Sequence, residues 1–167
     1  GGKEYTVNIA LIYKGVPYLG LIAHPPSNKI WYAINKKLII INNGIRADYN
    51  NLKSIIQTCP SIITSKENNI EMERFLSKFK NIKRIKLSSS LKFCKLVEGE
   101  ADLYPRFSSI SKWDIAAGHA ILNASGGELI DFNGNNLKYD SKSSRTGKFL
   151  ALANKESTYK ILSAINS

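Results

Sequence analysis

The sequence has few of the residues that build metal clusters or disulfides, and it has no long apolar run. It holds two cysteines and two histidines, and Cys59 and Cys94 lie far apart without a C-x-x-C pair. This excludes a zinc ribbon or a disulfide framework and favours reduced thiols in a cytoplasmic protein. The longest aliphatic run, residues 38–41, is far shorter than the roughly 20 residues of a bilayer-spanning helix. We expect no membrane span.

The start of the chain lacks an initiating methionine, since the single Met is Met72. The first residues include an acid and run directly into alternating apolar sequence, so no secretory hydrophobic region is visible. We therefore expect the chain to begin inside a longer polypeptide.

The net charge of +11 raises the question of nucleic-acid binding. The cations are 19 Lys and only 5 Arg, spread along the chain beside 22 Ile and 16 Asn. This excess of Lys, Ile and Asn together is typical of AT-rich coding sequence rather than of a basic face. We expect no nucleic-acid polymer as partner, and we interpret the basic segment 78–86 as a solvated edge strand.

The hydrophobic periodicity predicts an α/β fold in which an antiparallel meander precedes a mixed α/β layer. Alternation over residues 4–23, broken at Lys14-Gly15, predicts a hairpin, and two further strands end at Asn42-Asn43-Gly44. After residue 60, strands and helices alternate. We predict strands over 61–64, 82–87, 101–107 and 148–153, a 128–139 hairpin around Asn133-Gly134, and helices over 71–79, 91–98, 114–124 and 157–165.

Asp114 begins the helix whose next residues include Ala116, Ala117 and Gly118. Its carboxylate could be an N-cap, or it could hold a divalent cation over a phosphate, because the helix dipole favours anions there. The small residues permit close approach by another element. His24 and His119 are both interpreted as structural.

Four motifs in order carry a resemblance to a known family. They are Ser88-Ser89-Ser90-Leu91-Lys92-Phe93-Cys94, Ala101-Asp102-Leu103-Tyr104-Pro105-Arg106-Phe107, Trp113-Asp114 with its helix, and Ala124-Ser125-Gly126-Gly127. The opening segment 4–12 is similar too. The chain resembles the C-terminal part of CysQ-type 3'(2'),5'-bisphosphate nucleotidases, in the inositol monophosphatase-like superfamily. The resemblance implies that residues 1–45 belong to an incomplete N-terminal-domain sheet and residues 46–167 to a C-terminal α/β domain.

The resemblance also implies roles for individual residues. Asp114 stands at the position of a carboxylate that binds magnesium in the family. Ser89 and Lys92 match the family's Ser-x-x-Lys, which contacts the nucleotide. Arg106 matches an arginine that binds a substrate phosphate. The alternatives are an exposed helix residue for Lys92 and a surface ion pair for Arg106. The family has Ser-Arg-Ser-His where this chain has residues 65–68, so Asn68 replaces a substrate-side histidine.

The implied activity is Mg²⁺-dependent removal of the 3'-phosphate from 3'-phosphoadenosine 5'-phosphate or its sulfated analogue, a reaction of sulfur assimilation. The family's Glu-Glu pair and D-P-x-D-G-T segment are absent, so the sequence holds no catalytic residue beyond the metal ligand Asp114, and we expect the isolated chain to be inactive. The alternatives are an inositol-phosphate or fructose-bisphosphate phosphatase and a non-catalytic nucleotide-binding remnant. The apolar hairpin predicts self-association, or a missing N-terminal segment that completes the sheet.

Overall fold

The first half of the chain forms a five-stranded antiparallel meander. The computed structural model describes residues 2–49, 59–66 and 69–166. The alternating sequence folds strand by strand, with each strand paired to the next along the chain. The strands are β1 (Val7–Tyr13), β2 (Val16–His24), β3 (Lys29–Ile34), β4 (Lys37–Asn42) and β5 (Ile45–Asp48), with a 3-10 turn at Pro25–Ser27.

The second sheet is mixed, and its strand order is β10-β12-β8-β6-β7. Strand β6 runs parallel to both neighbours, β7 and β8, while β12 is antiparallel to β8 and to β10. A two-stranded ribbon joins β9 to β11. The strands are β6 (Ser61–Thr64), β7 (Lys83–Lys86), β8 (Leu103–Arg106), β9 (Ile110–Ser111), β10 (Glu128–Ile130), β11 (Arg145–Thr146) and β12 (Phe149–Leu152).

Four helices complete the described fold and define its layers. They are α1 (Ile70–Leu76), α2 (Leu91–Val97), α3 (Lys112–Ala124) and α4 (Thr158–Asn166), with a 3-10 turn at Lys155–Ser157. One apolar cluster joins the meander, α2, α3 and one face of the mixed sheet, and a second joins the other face to α1 and α4. Ile62 and Ile63 illustrate the alternation, since they belong to different clusters.

Helix α3 lies between the two sheets, and glycines set how closely it approaches its neighbours. A Cβ at Gly20 of β2 would lie 2.4 Å from the backbone oxygen of Ala117, and one at Gly118 would lie 2.3 Å from the Phe93 ring. Neither distance is tolerable for real atoms. The small residues of α3 therefore permit close approach, as predicted, and this contact aligns the ends of α2 and α3.

The α/β class and the predicted meander are confirmed, whereas two details differ. The meander continues into a fifth strand, β5, beyond the predicted end at Gly44. The predicted 128–139 hairpin is confirmed only in its turn: a single antiparallel bridge joins Ile130 to Asn136, residues 137–139 form no strand, and β10 pairs with β12 along its other edge. The Asp131 side chain accepts two backbone N–H groups from residues 133 and 135, which closes a compact turn instead. Strand β7 is an edge strand, as interpreted. The domain division at residue 45 stays a prediction.

The outer face of the meander leaves apolar side chains in solvent. Alternation along β1 puts Val7, Ile9 and Leu11 on one face, and half or more of each side chain is exposed. On the opposite face of the meander, β2 and β3 contribute buried residues such as Ile22 and Trp31. Within the described residues, every helix is too short or too polar to cross a bilayer.

Candidate functional site

The predicted site residues meet at a cleft with two lobes, where the 88–90 turn, the end of β8 and the start of α3 converge. Ser89, Lys92 and Arg106 line both lobes. The first lobe has a volume of about 380 Å³ and is lined by Lys66 as well as by Lys92 and Arg106. We call it the cationic lobe, because no described carboxylate lines it. The second, of about 420 Å³, is the acidic lobe, which contains Glu4 and Asp114. These volumes suit a small phosphorylated ligand.

The Ser88-Ser89-Ser90 turn bends sharply before α2, and Ser89 adopts a left-handed conformation with φ of +55°. Its carbonyl oxygen accepts a hydrogen bond of 3.2 Å from the Lys92 Nζ atom. The ammonium also lies 5.4 Å from the centroid of the Tyr104 ring. Lys92 is only 7% exposed, so the alternative of an exposed helix residue is wrong.

The Lys92 ammonium is electrostatically strained. Burial, and then repulsion by Arg106, lower its pKa from 10.5 to about 8; Lys66 adds repulsion and Glu4 opposes it. At neutral pH the side chain is still mainly protonated. The cleft therefore presents a desolvated positive charge, which favours binding of an anion.

Arg106 ends β8 with its guanidinium group in the cleft. Its Nε donates to the Ser108 carbonyl oxygen at 3.2 Å, and its Nη1 donates to the Tyr104 hydroxyl at 3.3 Å. No described carboxylate pairs with it, so the surface ion pair alternative is wrong. A guanidinium has five N–H donors, and these two bonds leave three for a ligand. The planar fork can thus bind a phosphate.

Asp114 lies in the first turn of α3, but it is not the N-cap. Ser111 occupies that position, which makes the capping alternative wrong. The Asp114 side chain is exposed, lines the acidic lobe, and makes no hydrogen bond or ion pair with the described part of the chain. Its backbone is tied to the turn: Asn8 Nδ2 donates to Ser90 Oγ at 2.8 Å, and Ser90 Oγ donates to the Asp114 carbonyl oxygen at 3.3 Å. The backbone of Asp114 is therefore fixed, and its carboxylate is free to bind a cation.

Two cleft residues were missed by the sequence analysis. The Glu4 carboxylate accepts from Lys66 Nζ through Oε1 at 3.0 Å and from the Ser88 backbone N–H through Oε2 at 2.9 Å. The hydrogen bond from Lys66, and then that from Ser88, lower the Glu4 pKa. The resemblance of the 4–12 segment to the family's opening strand was the available signal for Glu4. Lys66 stands at the arginine of the family's Ser-Arg-Ser-His, but its contact with Glu4, 62 residues away, has no local signal.

Neither histidine lines the cleft. Asn68 lies outside the described residues. His119 is buried, its Nδ1 lies 3.1 Å from the Tyr139 hydroxyl, and burial lowers its pKa to about 4. His24 contacts Ser27 and the Lys3 carbonyl oxygen. Both histidines thus have structural partners, in agreement with their interpretation.

Metal ligands are sparse in the described chain. No group of three or more His, Cys, Asp or Glu side chains there could hold an ion. Glu4 has both carboxylate oxygens engaged, which leaves Asp114 as the free carboxylate of the cleft.

Comparison with known proteins gives the family. The model of the inositol monophosphatase family matches residues 1–167. The 3'(2'),5'-bisphosphate nucleotidases CysQ of Salmonella typhimurium and Buchnera aphidicola are 37% and 40% identical over 84% of this chain. The chain spans 56% and 52% of their lengths.

The crystal structure of CysQ from Bacteroides thetaiotaomicron is 27% identical, with a TM-score of 0.80 over 92% of this chain and 64% of that one. An inositol monophosphatase from Zymomonas mobilis shares the fold at 19% identity, with a TM-score of 0.77 over 97% of this chain and 62% of that one. This chain belongs to the inositol monophosphatase family.

Proposed function

We propose that this chain carries the phosphate-binding wall of a phosphatase that removes the 3'-phosphate from 3'-phosphoadenosine 5'-phosphate or its sulfated analogue. The observation that carries the proposal is the convergence of Lys92, Arg106 and Asp114 on one cleft. The bisphosphate nucleotidase relatives support the substrate class. The proposed location of the enzyme is the cytoplasm.

The chain's own residues bind and orient the ligand in this proposal. The Arg106 fork donates parallel hydrogen bonds to two phosphate oxygens, and the buried Lys92 ammonium supplies a charge that water screens poorly. An arriving phosphate relieves the repulsion between these two cations. Ser89, which lines both lobes, is proposed to contact the nucleotide.

The proposed cofactor is Mg²⁺, with Asp114 as one ligand. Two-ion phosphoryl chemistry requires several carboxylates around adjacent ions. The described residues offer one free carboxylate and do not fit a two-ion site on their own. We therefore propose that the isolated chain binds the nucleotide but does not hydrolyse it.

Calorimetric titration tests the proposal with adenosine 3',5'-bisphosphate and with adenosine. Arg106→Lys keeps the charge but loses the fork, so it should weaken binding of the bisphosphate about tenfold and leave adenosine unchanged. Arg46→Lys on the exposed strand β5 is the matched control and should change neither affinity. Equal weakening of both ligands by Arg106→Lys would show that Arg106 does not bind phosphate.

The two alternative functions give different results in the same experiment. A phosphatase for inositol phosphate or fructose bisphosphate would bind those sugars more tightly than the nucleotide. A non-catalytic binding module would bind the nucleotide but release no phosphate with Mg²⁺, even after supplementation with a segment that carries the family's Glu-Glu pair and D-P-x-D-G-T residues. Phosphate release by the supplemented chain would support the enzyme.

A further inference from the structure

A second concave site lies outside the cleft, next to the β9–β11 ribbon. We call it the ribbon pocket; its volume is about 310 Å³, and it shares no lining residue with either lobe of the cleft. Four cations line it, from the start of α3 and from the segment between β10 and β12: Lys112, Lys138, Arg145 and Lys148. The one described carboxylate that lines it is that of Asp131. Four positive charges against one negative charge leave an excess of three.

Two of these cations are held in place by neutral partners. Lys112 Nζ donates to Ser141, to Oγ at 2.7 Å and to the carbonyl oxygen at 3.1 Å. Arg145 donates to Ser109, from Nε to Oγ at 3.0 Å and from Nη2 to the carbonyl oxygen at 2.8 Å. Hydroxyl and carbonyl acceptors fix the position of a cation without cancelling its charge. The guanidinium keeps three N–H donors and the ammonium keeps one, so a ligand would meet donors that are already positioned.

The negative charges of the described chain leave most of this excess uncompensated. Lys148 pairs with Glu71 of α1, which lies outside the ribbon pocket. No described carboxylate forms an ion pair with the other three cations. Asp131 accepts backbone N–H groups from residues 133 and 135 at Oδ1 and the side-chain amide of residue 135 at Oδ2. Its carboxylate therefore serves the turn and not the lining cations.

The ribbon separates this pocket from the cleft while joining the two in the fold. Thr146 lines the ribbon pocket, and Ile110, its partner across the ribbon, lines the acidic lobe. Lys112 lies two residues before Asp114 of the acidic lobe. An anion bound in the ribbon pocket would thus lie at a site of its own, and signals from the two sites can be followed separately.

We propose that the ribbon pocket is a second anion site, which binds a small dianion of the phosphate or sulfate class. A dianion compensates more of the charge excess than a monovalent anion, and its oxygens can accept several short N⁺–H···O⁻ bonds at once. The volume is at the lower end of the range for ligand sites, and the cations converge on a concavity instead of covering a face. Both features favour a small anion over a polymer. The inference does not rest on the proposed function, because no residue of the cleft takes part.

Nuclear magnetic resonance titration of the ¹⁵N-labelled chain with inorganic phosphate, at constant ionic strength, tests the inference. The Gly147 amide reports on the ribbon pocket and the Ser90 amide on the cleft. We expect a saturable shift at Gly147 with phosphate and with sulfate, and none with chloride. Arg145→Gln should weaken phosphate binding at this site about tenfold, since it removes a charged donor group. Lys138→Gln, at an exposed position, should weaken it about threefold.

Lys142→Gln is the matched control, because Lys142 lies in the same segment, is exposed, and does not line the ribbon pocket. It should leave the affinity at Gly147 unchanged. If Arg145→Gln loosens the ribbon through loss of its bonds to Ser109, Lys138→Gln still decides, since Lys138 forms no ion pair with the described residues.

The outcomes separate this inference from the proposed function. A saturable Gly147 shift that is weakened by the Lys138 variant and not by the control supports the inference, whatever happens at Ser90. A Gly147 shift that chloride reproduces, or that the Lys138 and Lys142 variants change equally, overturns it. A phosphate-dependent shift at Ser90 alone also overturns it and leaves the proposed function intact.

Discussion

The buried charge of Lys92 should make this residue costly to the stability of the fold. Its pKa falls from 10.5 to about 8 on folding, chiefly because of burial, and this difference corresponds to about 3 kcal/mol at pH 7. Substitution of Lys92 would also remove its hydrogen bond to the Ser89 carbonyl oxygen and its contact with the Tyr104 ring. This loss offsets about 1 kcal/mol of the expected gain in stability. We expect Lys92→Met, which keeps the shape, to stabilise the chain by about 2 kcal/mol and to raise Tm by about 4–8 °C.

The sign of the pH dependence follows from proton binding. Between about pH 8 and 10.5 the unfolded chain still protonates Lys92 while the folded chain does not, so wild-type stability rises through this window. Lys92→Met lacks this titration. The stability difference between the two proteins should therefore be largest below pH 8 and nearly vanish above pH 10.5.

Urea unfolding followed by circular dichroism at pH 7, 8, 9 and 10 measures the difference. Lys83→Met, at an exposed strand position, is the control and should show no such trend. The same Lys92→Met protein should lose most of its affinity for adenosine 3',5'-bisphosphate. A variant less stable than wild type at pH 7, or a difference that is the same at pH 7 and pH 10, would refute the argument from desolvation.

Three further predictions test the packing, the buried histidine and the outer face. Gly118→Ala should lower the free energy of unfolding in urea by about 3 kcal/mol despite the better helix propensity of alanine, because its Cβ would meet the Phe93 ring. Gly147→Ala, whose Cβ has open space around it, should leave this free energy unchanged. Because burial lowers the His119 pKa, the free energy of unfolding should fall as pH falls from about 6.5 to 4. His119→Gln should remove this pH dependence in urea unfolding, and a variant with the same pH dependence as wild type would contradict the prediction. Light scattering should show concentration-dependent self-association through the exposed β1 face, reduced by Ile9→Lys; a monomer at all concentrations would contradict this.

The fold was predictable from the sequence where periodicity and burial agree. Strands β1 and β2 follow from the alternation around Lys14-Gly15, β4 from its aliphatic run, and α3 from its apolar run and its terminal glycines. Strand β5 alternates apolar and charged residues over Ile45–Asp48, but it is short and follows the Asn42-Asn43-Gly44 turn, which was interpreted as the end of the meander. The 128–139 hairpin formed only as a turn with one bridge at Ile130, and the main partner of β10 is β12, which is distant in sequence.

The site was predictable only where its residues belong to local motifs. Ser89, Lys92, Arg106 and Asp114 were named from such segments, and the fold brings them to one cleft. The pairing of Glu4 with Lys66 depends on how the meander meets the mixed sheet. No spacing rule encodes a contact of that kind.

The amino-acid composition does not show that the lysines of this chain differ in burial. Its lysine excess suggests a uniformly basic surface, yet burial separates Lys92 from the exposed lysines. An exposed lysine is solvated and costs the fold little, whereas a desolvated one is stable only with a compensating anion. Lys92 has Glu4 within electrostatic reach, but Arg106 and Lys66 oppose that compensation. An anionic ligand would add the missing negative charge, which is the electrostatic basis of the proposed phosphate binding.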